Sequence, residues 1–231
     1  MSKTSDRASA ALGGLVAATA AAATAYWFVV RPWHLRWGAS DAEVALVLPG
    51  DELVPNAKIS ATHAITIQAS PAEVWPWLVQ LGQGRGGFYS YDWIENALGL
   101  DIHTADRILP EYQNLKVDDT IPLAPNDFGL PVIMLDPVQT MVLCGDTRLG
   151  GSKGKPELKP GEYLAASWGF YLFGQANGTT RLVERWRADY TPTTVNAVFY
   201  RVFLESGAFL MQRKMLLGIK ARAERLAHRN P

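Results

Sequence analysis

Near the end of the chain, Ala208, Met211, Met215, Ile219, Ala223 and Leu226 recur every three or four residues. That spacing puts them on one face of an α-helix. A helix with an apolar stripe must lay it against another element, so the rest of the chain has to supply an apolar surface to receive it. The preceding hundred residues read as strands. Pro131 to Leu135 and Thr140 to Leu143 flank the turn signal Asp136-Pro137, and Tyr163 to Phe173 is aromatic and β-prone. Asn177-Gly178 is a strong hairpin signal, and Leu182 to Tyr190 returns as its partner. With 48% hydrophobic and 19% charged residues in 231, the chain has material for a core and is not a disordered one. The class expected is α+β, helices packed on an antiparallel sheet.

Upstream, residues 61–67 alternate as a strand. Ser70-Pro71-Ala72-Glu73 then carries a capping hydroxyl, proline at the first helical position and Glu at the third. Val74, Trp75, Leu78 and Leu81 follow at helical spacing, and Gly82 ends the helix. A glycine-rich aromatic stretch, 83–91, leads to a short helix from Asp92 to Leu98, and residues 100–119 read as irregular or short helical structure. Pro192 opens the C-terminal helix, and Ser206-Gly207 is a place for it to bend.

The N-terminus reads differently. Ala10 to Val30 holds 21 uncharged residues, nine of them alanine, and ends in Tyr26, Trp27 and Phe28 before Pro32. As a helix it would span about 31 Å, the thickness of a bilayer core. The expected organisation is therefore a tail at 1–9, a transmembrane helix at 10–30, a linker at 31–59 and a folded domain at 60–231. A cleaved signal peptide ending near Ala23-Thr24-Ala25, or an alanine-rich helix outside the membrane, are the alternatives. The expected location is a single-pass membrane protein with its domain facing the cytoplasm. Lys3 and Arg7 before the span and Arg31, His34 and Arg36 after it leave orientation open.

Charge is segregated. Residues 1–36 hold four basic and one acidic, 37–192 eleven and nineteen, and 193–231 seven and two. Lys+Arg and Asp+Glu both total 22, which argues against a nucleic-acid binder. The single cysteine, Cys144, excludes an internal disulfide.

The element order, together with Ser70-Pro-Ala-Glu-Val-Trp-Pro-Trp-Leu78 and the segments Gly82 to Gly99 and Asp101 to Glu111, resembles the START-like or SRPBCC superfamily over roughly residues 60–228. The longer segments resemble a bacterial branch that often carries an N-terminal membrane segment. The resemblance implies a helix-grip fold, a curved antiparallel sheet around the long last helix with an apolar cavity between them. It implies binding of a lipid-like or polyketide-like molecule, or cyclase or dehydrase chemistry, and transfers no catalytic residue.

Candidate ligand contacts cluster in the aromatic loop and after it: Arg85, Phe88, Tyr89, Tyr91, Trp93, His103 and Arg107. Aromatic rings would cover an apolar ligand while an arginine meets its polar end. Asp92, Glu95, His103, Asp106 and Arg107 form the richest ionisable cluster, in which His103 is the one candidate acid–base catalyst. The bland alternative is that these rings pack under the loop and these charges tie it down. Gly82, Gly84 and Gly87 spell GxGxxG but follow a helix, so they do not build a dinucleotide site. No metal-ligand spacing, nucleophile elbow or P-loop is present, and no metal or cofactor is expected. The expected function is binding of a small hydrophobic or amphipathic molecule by a membrane-tethered domain. An enzyme of cyclase or dehydrase type and an interaction module with a filled interior are the alternatives. Ligand identity and oligomeric state stay open.

Overall fold

In the computed structural model, residues 13–14, 17–125, 128–149 and 158–228 are described. Six strands form one antiparallel sheet: β1 (Ile59–Ile67), β2 (Thr120–Pro122), β3 (Gly129–Asp136), β4 (Thr140–Asp146), β5 (Leu164–Gly174) and β6 (Thr180–Tyr190), in the order β1-β6-β5-β4-β3-β2. The Asn177-Gly178 turn joins β5 to β6 with Gly178 at φ +80°. β1 pairs with the far side of β6, so the first and last strands are neighbours. A register shift between Val132 and Met134 marks a bulge in β3. The strand β2 lies just beyond the stretch expected to be irregular or short helical, where no strand was expected.

Helix α2 (Pro71–Val79) begins with the full capping box: Ser70 N and Oγ donate to Glu73 at 2.8 Å. Helix α3 covers Asp92–Ala97. The last helical stretch starts at Thr194, passes through a π-helical segment, Phe199–Leu204, and continues as α4 (Glu205–Ala227). The π segment sets Tyr200 against Tyr190, rings stacked 4.3 Å apart. Met215, Ile219 and Ala223 of the stripe are buried in the main core with Val74, Trp77 and Leu78 of α2 and Ile67, Phe170, Leu172 and Leu182 of the sheet. The sheet and the long helix thus pair as the apolar stripe requires. Gly218 permits the close approach of the aromatic loop to α4, since a Cβ there would lie 2.4 Å from the Tyr89 carbonyl oxygen.

The opposite face of the sheet is covered too. Residues 36–58, expected to belong to a linker, include a short capped helix, α1 (Asp41–Ala45), and lie on that face. Leu48 packs with Ala64, Val142, Tyr171 and Val183. Three arginines at alternate-face positions of β6 hold the strap. Arg185 donates to the Leu46, Glu43 and Val44 carbonyls, to Asp51 and to Thr62. Arg181 pairs with Glu43, and Arg187 reaches the Val54 carbonyl. Cover on both faces explains why β5 is buried almost continuously instead of alternating.

The chain divides into two compact units, residues 1–35 and 36–231. In the first, residues 17–34 are helical with a π-helical stretch at Tyr26–Val30. Residues 10–12 and 15–16 of the expected transmembrane span lie outside the described residues. No helix among the described residues is long and apolar enough to cross a membrane. This overturns the expected transmembrane helix and, with it, the membrane tether and the single-pass, cytoplasm-facing location. Among the described residues the helical stretch 17–34 turns π-helical at Tyr26–Val30 and takes in Arg31 and His34, so its apolar part is short.

Candidate functional site

The inner face of the sheet and α4 flank a partly open cavity of about 400 Å³. Leu164, Ala166 and Trp168 of β5 and Trp186 of β6 form one wall, placed there by two-residue alternation. Ala208, Met211, Gln212 and Met215 of α4 form another, and Phe88, Ser90, Glu95 and Leu100 close a third side. The lining is apolar except for Ser90, Glu95, Thr147 and Gln212.

Trp168 is the fixed point of this wall. Its ring lies 5.0 Å from Phe170 and 6.3 Å from Phe88. Its indole Nε1–H donates to Glu184 Oε1 at 2.5 Å, and Glu184 Oε2 lies 2.7 Å from His63 Nδ1. Glu184 and His63 are both fully buried, so a chain of polar groups from β1 through β6 to β5 orients the indole from behind.

Glu95 sits on the inner side of α3 and is buried. Ser90 Oγ donates to its Oε1 at 2.6 Å, while Oε2 is buried with no hydrogen-bond partner. Loss of hydration raises the Glu95 pKa above the ordinary carboxylate value, and the nearby Asp92 charge adds to the rise. Residues around α3 are pinned by side chains. Asp92 accepts from the Thr104 amide and hydroxyl at 2.8 and 2.6 Å, and Asn96 exchanges two hydrogen bonds with the Ile102 backbone. Gln80, wholly buried, holds the backbone at Arg107 and Leu109.

Of the residues expected to touch a ligand, only Phe88 lies on the cavity wall. Arg85 donates to the Leu81 and Val79 carbonyls at 2.9 and 2.7 Å, finishing α2, and stacks over Tyr112. Tyr89 is buried, with φ +56° and its hydroxyl donating to the Trp77 carbonyl at 3.0 Å. Tyr91 precedes α3 and lies beneath the Lys214 ammonium. Trp93 is 73% exposed. His103 is an exposed side chain paired with Asp101 at 3.0 Å, on the outer surface and away from the cavity. The structure therefore does not bring His103 to a place where it can act on a cavity ligand. Arg107 borders a separate cleft of about 220 Å³ with Trp77, Arg222 and Arg225, where Arg222 is paired with Asp106. Burial pushes the Cys144 thiol up to about 11, which makes it a poor nucleophile.

The wall residues not anticipated are Ser90, Trp186 and Gln212, and behind them His63 and Glu184. Two of these left a signal. Gln212 interrupts the stripe between Met211 and Met215, and Glu184 stands between Leu182 and Trp186 on the inward face of its strand. A polar residue at an apolar position is informative in the way an exposed one is not.

No protein-family model matches the sequence, and no curated protein matches it. Solved structures similar to this chain include a Mesorhizobium loti protein at 12% identity, covering 72% of this chain and 97% of that one with a TM-score of 0.42. DynU16, a protein in the dynemicin biosynthetic locus, is 10% identical, covering 74% of this chain and 48% of that one at 0.35. CalU16 from Micromonospora echinospora is 14% identical, covering 73% and 86% at 0.33. The functional reading therefore rests on the cavity itself.

Proposed function

We propose that this protein binds a small hydrophobic or amphipathic molecule in the cavity between α4 and the sheet, with Phe88 and Trp168 against its apolar body. The observation that supports the reading is a volume of about 400 Å³ with an almost wholly apolar lining. That size lies in the range of ligand pockets, which combine apolar walls with a few placed polar groups. A hollow of this kind forgoes the packing contacts a solid core would make, and a ligand restores them. The alternative of an interior filled by its own side chains does not account for such a volume.

The test is saturable, one-to-one binding of a fluorescent apolar probe such as naphthalene, followed by its own emission. Ala208→Trp, which pushes an indole from α4 into the space, abolishes that binding while leaving the far-ultraviolet circular dichroism unchanged. Absence of saturable binding to the folded wild-type chain contradicts the proposal.

A further inference from the structure

The polar groups of the cavity point to the kind of molecule it takes. Glu95 and Gln212 are 6% and 8% exposed, and both line the cavity. Ser90 satisfies Glu95 Oε1, but Oε2 is buried with no partner, and the Gln212 amide lies on the same wall. A buried polar group left unsatisfied costs about 1 to 3 kcal/mol, and here one, Glu95 Oε2, stands on the cavity wall together with the Gln212 amide. A guest that supplies a hydrogen-bonding group to Glu95 Oε2 removes that cost, and the Gln212 amide can bind the same group. A guest with no polar atom leaves it in place.

The sign of the guest's charge follows from the rest of the lining. No Lys, Arg or His lines the cavity among the described residues. A carboxylate or phosphate head would be desolvated with no cation to meet it and with the Glu95 carboxyl beside it, an arrangement that costs far more than it gains. Burial and the Asp92 charge hold Glu95 toward its neutral form, in which Oε2 can donate a hydrogen bond. The Gln212 amide offers a donor and an acceptor.

We infer that the guest is an apolar molecule bearing a neutral oxygen head, an alcohol or a carbonyl, held by the Glu95 carboxyl and the Gln212 amide. This inference rests on the proposed binding function and adds the class of ligand to it. The apolar body lies along Trp168, Met211 and Met215.

Competition against naphthalene with decan-1-ol, decanoate and decylammonium separates the possibilities, because the three share an alkyl chain and differ only in the head. Decan-1-ol binds at least tenfold more tightly than decanoate. Glu95→Leu and Gln212→Leu each weaken decan-1-ol about three- to tenfold relative to naphthalene, the effect of one hydrogen bond. Glu95→Gln keeps decan-1-ol within about threefold of wild type. If naphthalene binds but both leucine variants leave decan-1-ol unchanged, the polar anchor is wrong and the binding function stands. If decylammonium binds more tightly than decan-1-ol, the carboxyl acts as an ion-pair partner and the neutral head is wrong. If neither naphthalene nor decan-1-ol binds the folded protein, the binding function falls and the inference falls with it.

Discussion

Arg185→Met tests whether the strap over the outer face is part of the fold or merely rests on it. Arg185 is 4% exposed and donates five hydrogen bonds between 2.7 and 3.2 Å. Three reach the backbone carbonyls of Glu43, Val44 and Leu46, one the Asp51 carboxylate and one the Thr62 hydroxyl. Methionine keeps much of the apolar stem and removes every donor. Asp51 retains the Leu48 amide at 3.0 Å, and its nearest cation is then Arg187, at 3.7 Å. Breaking one partner of a buried ion pair with its hydrogen bonds costs about 3 to 5 kcal/mol. At a urea m-value of about 2 kcal/mol/M, the unfolding midpoint falls by about 1.5 to 2.5 M. The assay is urea unfolding followed by circular dichroism and tryptophan fluorescence together. Arg185→Lys, a single ammonium unable to span both arms of the site, loses roughly half as much. A loss below about 1 kcal/mol for Arg185→Met, with m unchanged, refutes the argument that this guanidinium fastens residues 36–58 to the sheet.

Other outcomes follow from the same contacts. Glu43, whose pKa is lowered from 4.5 to about 2 chiefly by the Arg181 hydrogen bond, contributes stability that is present above pH about 4.5 and lost as pH falls through about 2. Both partners are partly solvated, so the effect is on the order of 1 kcal/mol, and urea titrations of Arg181→Met across that window should be correspondingly flatter. Glu95 has the opposite sign: its raised pKa means that the ionised acid opposes folding, so Glu95→Gln is more stable than wild type at pH 8 but not at pH 4, measured by thermal unfolding. Trp168→Phe deprives the buried Glu184 of its 2.5 Å donor and lowers stability by about 1 to 3 kcal/mol in the same assay. His103→Ala, at an exposed site, changes stability by less than about 0.5 kcal/mol and leaves naphthalene affinity as it was.

How much of this was legible depended on whether the signal was local. The Ser70 capping box, the Asn177-Gly178 turn and the apolar stripe of α4 are each set by residues within a few positions, and each forms where its spacing predicts. Strand β2 is only three residues long and exists because β3 pairs with it, so its own sequence carries almost no pattern. The strap was unreadable for a related reason. Residues 36–58 are rich in turn formers and acids, and what holds them is an arginine row about 140 positions away in the chain. At the site, Phe88 reaches the cavity, whereas Arg85, Tyr89 and Arg107 are engaged locally or face elsewhere. Aromatic and basic residues in a glycine loop look alike in sequence whether they cover a ligand or secure the loop. The N-terminal stretch misled because an uncharged run in sequence does not show where the helix lies, and the described helical stretch takes in Arg31 and His34.

The most direct measurement is a crystal structure of the protein pressurised with xenon, which enters apolar cavities that exclude water. The account predicts strong anomalous density beside Trp168, Met211 and Met215, in a space of about 400 Å³. Crystals with no xenon there, and with α4 packed solidly onto Trp168 and Trp186, would contradict it.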